Sequence, residues 1–283
     1  MPRSVKIEGM STACLLAIGG LDPSGGAGLP ADIRAAAAFG AHCCGVATAV
    51  IAQNTRGVAQ IEPVSPALLA AQLDNLLEDI TPRAIKIGML PDAESVQVIV
   101  QRLRQIGSTP LIVDTVFAPS SGPRFADAET VQAIIEHLLP LAELVTPNIP
   151  EAERLIGAPI PDRDAMRAAT ELIHQRYGAR HVLLKGGHLP DKAVLDAAFN
   201  DREIICDALD IFYDGKQLIE MRLPRVPGIE VRGTGCMLAS AIAAQRTREV
   251  AVLDAAWRAK AWLAEEIANA QAIGRGRRVA VRR

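Results

Sequence analysis

The chain has 283 residues, 49% of them hydrophobic and 3% aromatic, and carries a net charge of −2. That length suits one large α/β domain or two ordinary ones, with enough residues to bury a sizeable core. Few aromatics leave little surface for stacking nucleic-acid bases, and a charge near zero draws in no polyanion.

Residues 13–20 form a short apolar run ending in two glycines, which reads as a buried strand. The loop Leu21-Asp22-Pro23-Ser24-Gly25-Gly26-Ala27-Gly28 follows, and Pro30 opens an alanine-rich helix that stops at Gly40. A second apolar run, 45–52, is bounded by Gln53-Asn54-Thr55, and Leu69, Leu73, Leu76, Leu77 and Ile80 then fall at helical spacing. The alternation continues with strands at 84–88, 111–116, 144–146 and 181–185. Between them lie helix faces at Val96, Ile99, Val100 and Leu103, at Val131, Ile134, Ile135 and Leu138, and over 166–177 ahead of Gly178. Asp214-Gly215, between apolar runs at 209–213 and 218–223, signals a hairpin. Helices at about 236–246 and 250–272 close the pattern.

Strands alternating with helices predict βαβ units: a three-layer α/β/α sandwich around a mostly parallel sheet. With no linker and no repeat, one domain over 13–272 is expected. It is flanked by an N-terminal extension, 1–12, and a basic C-terminal tail, 273–283. From Arg275 onward five arginines stand without an acid, and the tail reads as a frayed, solvated terminus. No stretch reaches the ~18 uncharged apolar residues of a membrane helix. Met1 to Met10 holds no apolar signal core, and the five cysteines show no CxxC spacing. A soluble, cytoplasmic protein without nucleic-acid or membrane partners is expected.

In an open parallel sheet ligands bind beyond the carboxyl ends of the strands. Gly20, Asp22, Gln53, Met89, Asp114, Asn148, Glu151 and Lys185 all fall there. Each has a plainer reading: Asp22 as a turn former, Asn148 and Glu151 as a helix cap, Lys185 as a surface lysine. The stretch Val231-Arg232-Gly233-Thr234-Gly235-Cys236 allows two readings as well. One is an anion hole at a helix N-terminus, whose field lowers the Cys236 pKa toward thiolate. The other is a glycine-rich turn before a core helix with an inert cysteine. Together the set offers carboxylates for Mg²⁺, a lysine and a helix N-terminus for phosphate, and a base, which suits phosphoryl transfer.

The chain resembles the hydroxymethylpyrimidine/phosphomethylpyrimidine kinases of thiamine biosynthesis, within the ribokinase-like superfamily. The segments that carry the resemblance include residues 20–28 with Ala31-Asp32, 52–58, 86–90 and 114–116. The others are 146–152, 184–188 and 233–236. The resemblance implies a ribokinase-like fold, ATP and Mg²⁺ as cofactors, a small pyrimidine substrate and a homodimer. It implies that Gly20, Asp32, Gln53, Met89 and Val116 line the pyrimidine pocket and that Asp114 and Glu151 hold the metal. Asn148, Lys185 and Thr234 would meet ATP, Gly233, Thr234 and Gly235 would form the anion hole, and Cys236 would be the base. Related pyridoxal kinases share the Gly-Thr-Gly-Cys corner, so pyridoxal or pyridoxine is the alternative substrate; a catalytically silent pyrimidine-phosphate sensor is a third reading. Four features depart from the family: Arg232 in place of a histidine, Pro30 in place of a glutamine, the loop 117–122, and the tail 274–278.

Overall fold

The computed structural model describes residues 13–118, 125–187, 189, 207–226 and 228–281. The extension 1–12, most of the loop around Pro119, His188, Cys206 and the last two arginines lie outside the described residues.

The chain runs β1 (Cys14–Leu21), α1 (Gly28–Ala38), β2 (His42–Gln53), β3 (Val58–Pro63), α2 (Pro66–Asp79), β4 (Ala84–Ile87), α3 (Ala93–Ile106) and β5 (Leu111–Val113). It continues with α4 (Ala128–Ala133), β6 (Leu144–Val145), α5 (Ile149–Ile156), α6 (Arg163–Tyr177), β7 (His181–Lys185), β8 (Asp207–Tyr213), β9 (Leu218–Pro224), α7 (Thr234–Arg246) and α8 (Val252–Ala268). One sheet takes all nine strands in the order β3-β2-β1-β4-β5-β6-β7-β8-β9. The six strands from β2 to β7 in that order are parallel, while β3 pairs antiparallel with β2, β8 with β7 and β9 with β8.

Period-two alternation sends successive strand residues to opposite faces. In β1, Cys14, Leu16 and Ile18 join one core with α2, α3, α5 and α6, whereas Leu15 packs toward α1, α7 and α8. In β5, Leu111 and Val113 face the first core and Ile112 the second. The three-layer α/β/α sandwich follows, as the pattern predicted. Local chemistry sets the helix ends. Asp92 and Asp162 cap α3 and α6 by accepting from Ser95 N and Ala165 N, and Gly178, in the left-handed region at φ 71°, ends α6.

Three details differ from the sequence reading. β3 is an edge strand whose residues are mostly exposed, so it shows no apolar alternation to detect. β5 stops at Val113 because residues 114–116 leave the sheet, and Val116 N turns back onto Asp114 O. The tail is not a solvated end as far as residue 281. Arg277 N donates to Thr55 O, Arg278 pairs with Val231, Val279 pairs with Gln271, and Val279 and Ala280 are buried.

Candidate functional site

An open cleft lies at the carboxyl ends of the parallel strands. Its wall includes Gly20, Gln53, Met89, Asp114, Val116, Asn148, Glu151, Lys185 and the whole run Gly233-Thr234-Gly235-Cys236. Thirteen of the fourteen residues expected at a site, Asp22 among them, are therefore brought together, and Asp32 is the exception.

The anion corner is built from glycine conformations. Gly233 is the N-cap of α7 at φ 70°, and a Cβ there would stand 2.1 Å from Gly26 O. That contact locks the corner onto the Asp22 loop. Met237 N donates back to Gly233 O, and the N–H groups at the start of α7 face the cleft with the positive end of the helix dipole. A Cβ on Gly235 would come within 3.1 Å of Lys185 Nζ, so glycine leaves room for that ammonium beside the corner.

On one side of the corner sit the charged groups. Lys185 Nζ donates to Asp114 Oδ1 at 2.8 Å, and Thr146 Oγ1 donates to the same oxygen. Burial pushes Asp114 upward, but Lys185 and Lys86 outweigh it and hold the carboxyl below its usual range. Asn148 and Glu151 form a capping box at the start of α5: Glu151 N donates to Asn148 Oδ1, and Asn148 N donates to Glu151 Oε2. The plain reading of these two residues as a cap is thus correct, and the cap itself lines the cleft. Burial, then the Asp114 charge, lift Glu151 to about 7 against the pull of Lys185. Asp114 Oδ2 and Glu151 Oε1 accept no hydrogen bond among the described residues. Two buried carboxylates with one oxygen left over each fit a hard divalent cation that takes its remaining ligands from water and phosphate. No group of three or more His, Cys, Asp or Glu side chains able to hold a metal alone occurs among the described residues.

On the other side is an apolar slot. Met89, Ile51, Val116 and Phe125 line it, and Gly20 forms its floor; a Cβ on Gly20 would meet Ile51 Cδ1 at 2.6 Å. Asp22 sits at the slot's polar end, where its carboxylate accepts from Ser24, from Ala27 N and from Gln53 Nε2 at 2.7 Å.

Two expectations need correction. Asp32 does not line the slot. It is 0% exposed, and its carboxylate is taken up by Lys86 Nζ at 2.9 and 3.0 Å and by Ser240 Oγ at 2.8 Å. Lys86, on a strand that otherwise reads as continuous core, is the group that reaches the cleft. A lysine inside the apolar run Ala84-Ile85-Lys86-Ile87 was the signal that could have revealed it. The Cys236 thiol is not lowered toward thiolate either. Burial pushes it up to about 12, and Asp114 and Asp32 add to the rise against Lys86 and the Gly28 backbone. The helix-terminus field is outweighed by desolvation and two carboxylates.

The sequence profile of the family described as phosphomethylpyrimidine kinase matches residues 22–280. The hydroxymethylpyrimidine/phosphomethylpyrimidine kinase of Rhizobium meliloti is 38% identical over 268 residues, spanning 94% of this chain and 95% of that one. A thiamine biosynthesis bifunctional protein of Geobacter sulfurreducens is 41% identical over 262 residues. The match covers 93% of this chain and 50% of that protein, so the chain spans about half the length of that relative. Among solved structures, the phosphomethylpyrimidine kinase of Clostridium difficile superposes with a TM-score of 0.74 at 34% identity, covering 90% of this chain and 99% of that one. The pyridoxal kinase of Staphylococcus aureus in complex with AMP-PCP and pyridoxal superposes with a TM-score of 0.83 at 26% identity, covering 96% and 93%. Among the described residues no helix is long and apolar enough to cross a membrane.

Proposed function

The chain belongs to the phosphomethylpyrimidine kinase family, and from that premise we propose that it moves the γ-phosphoryl group of ATP onto 4-amino-5-hydroxymethyl-2-methylpyrimidine and then onto the resulting monophosphate, in thiamine diphosphate biosynthesis. The observation that carries this reading is the composition of one cleft. Apolar side chains, the polar Asp22 and Gln53, a helix N-terminus, Lys185, Asp114 and Glu151 all line the same cleft.

In this reading the pyrimidine lies between Met89, Val116 and Ile51, over Gly20, with Gln53 and Asp22 at its polar edge. Asn148, Lys185 and Thr234 meet the nucleotide phosphates. The N–H groups of Gly233 to Cys236 receive the charge that spreads over the transferring phosphoryl. Cys236 takes the hydroxymethyl proton as the oxygen bonds to phosphorus and ADP departs. Only the thiolate can take that proton, and the Lys86 ammonium and the N-terminus of α7 are the groups beside the sulfur that favour it. Asp114 and Glu151 would hold Mg²⁺, which would supply neutralising charge to the phosphates and to the Asp114 carboxylate beside the thiol.

The test is product analysis with purified protein, ATP and each pyrimidine; formation of neither the monophosphate nor the diphosphate overturns the reading. Pyridoxal is the second candidate substrate, favoured by the close superposition on a pyridoxal kinase. It is decided by comparing kcat/KM for the two alcohols in competition. A cytoplasmic homodimer is part of the same proposal, and a monomeric mass in light scattering would remove the dimer from it.

A further inference from the structure

Arg232 stands directly before the anion corner, lines the cleft and is 8% exposed. Its guanidinium makes no hydrogen bond to any described residue, and Nε is fully enclosed without a partner. Buried guanidinium groups are ordinarily paired or hydrogen-bonded, because an uncompensated buried cation is costly. The backbone leaves Arg232 little freedom. Its N donates to Arg278 O at 2.9 Å, Val231 bridges Arg278, and a Cβ on Gly26 would touch the Arg232 Cβ at 3.4 Å. Its electrostatic neighbours are Asp22, which attracts it, and Arg277, which repels it. Arg277 is itself paired with Glu230 at 2.8 Å.

Two cations therefore flank the start of α7, and they differ. Lys185, on the carboxylate side, is committed to Asp114. Arg232, on the side of Asp22 and Gln53, is uncommitted. An anion that meets Arg232 is carried by the molecule in the slot and not by the nucleotide. We propose that Arg232 binds the phosphate of the pyrimidine monophosphate and so serves the second phosphorylation more than the first; this rests on the kinase reading above.

The chemistry of the second step agrees. Its acceptor is a phosphate oxygen, which bonds to the γ-phosphorus as the bond to ADP breaks. With a second pKa near ~6, that monoester is already largely a dianion at neutral pH, so it has no proton to give up. The second step needs a cation where the first needs a base. Arg232 and Cys236 thus divide the two reactions between them.

The experiment measures kcat/KM for the alcohol and for the monophosphate separately, and calorimetric binding of each to the full chain without nucleotide, in wild type, Arg232→Gln, Arg232→Lys, Arg232→His and Cys236→Ala. Arg232→Gln is expected to lose about 10–100-fold more on the monophosphate than on the alcohol, the worth of one or two charge-assisted hydrogen bonds. Arg232→Lys should recover part of that difference, and Cys236→Ala should show the opposite bias. Equal losses on both substrates, or none, overturn the proposal and assign Arg232 to the transferring phosphoryl or to packing. If Arg232→Gln does not fold, the same comparison is made with Arg232→Lys and Arg232→His, where an unchanged substrate ratio overturns it equally. Wild-type turnover of both pyrimidines with an unchanged ratio in the variants defeats this inference alone. Turnover of neither defeats the kinase reading and this inference with it.

Discussion

Lys86 Nζ lies 2.9 Å from Asp32 Oδ1 with neither side chain more than 1% exposed, a buried ion pair whose lysine lines the candidate cleft. Burial works against the ammonium, but Asp32 outweighs it and holds Lys86 above the ordinary lysine range. Asp32→Ala should therefore destabilise the protein by ~3–5 kcal/mol, since it leaves a buried cation without its partner. The double replacement Asp32→Leu with Lys86→Met should cost less than the single one. Urea unfolding of the three proteins checks this, and a double variant no more stable than Asp32→Ala alone would refute it.

Glu151 gives a pH dependence with a definite sign. Its carboxyl is lifted to about 7 in the folded protein from an ordinary 4.5, first by burial and then by Asp114. Below the lower value it is protonated in both states and has no effect. Between the two values the unfolded chain binds fewer protons than the folded one, so stability falls as pH rises through that window. In ligand-free protein, Glu151→Gln should remove this slope. Denaturation midpoints compared between the two proteins from about pH 5 to about pH 7.5 should diverge with rising pH, the wild type falling; parallel curves would contradict the assignment.

Cys236 is forecast to behave as a thiol at rest. Iodoacetamide should inactivate the free enzyme slowly near neutral pH and faster by ~10-fold per pH unit as alkali is added, because only the thiolate reacts. ATP with pyrimidine should protect. Cys236→Ala should lower kcat for the hydroxymethyl substrate by ~10²–10⁴, the usual worth of a positioned base. Rapid alkylation at neutral pH would show that the helix field prevails over burial after all. Wild-type turnover by Cys236→Ala would take the cysteine out of the mechanism.

Gly276 tests the strap formed by the tail. A Cβ there would stand 2.1 Å from Thr55 O and 2.6 Å from Arg56 N, both backbone atoms that have no room to yield. Gly276→Ala should displace residues 276–279, loosen Arg232 and raise KM for the pyrimidine monophosphate several-fold. The sheet does not pass through this contact, so β1 and β4 should keep their amide protection while the strap loosens. Amide exchange at Arg277 and Arg278 reports the displacement directly. Unaltered exchange and KM would mean that the strap does not act on the pocket.

What could be read from the sequence follows from how each feature is encoded. The parallel strands are continuous apolar runs, and α3 and α6 repeat their apolar positions over several turns, so Leu16, Ile87, Val96 and Ile173 announced their places. β3 could not be read, because an edge strand with Gln60 and Glu62 on it satisfies no burial pattern. The site was legible as a set of rim positions, since strand ends project residues to one edge of a parallel sheet. Its electrostatics were not. Whether Asp32 faces the ligand or Lys86, and whether Cys236 is governed by the helix terminus or by burial, depends on contacts between residues 54 or more positions apart. The strap was missed for a similar reason: glycines and arginines look like a solvated end until Thr55 supplies their partner.

The hydrogen bond from Gly276 N to Thr55 Oγ1 joins residues 221 positions apart. On a ribosome adding ~5–20 residues per second, the Thr55 turn would be exposed for about 10–40 s before its partner is made. During that interval β1 and β2 can pair while Arg232, whose N donates to Arg278 O in the finished protein, lacks its backbone anchor. The nascent chain thus passes through a stage with part of its sheet in place but without the buried cation at the rim of the cleft. A ligand that depends on Arg232 would therefore bind only after the last residues of the strap have been made and have met Thr55 and Glu230.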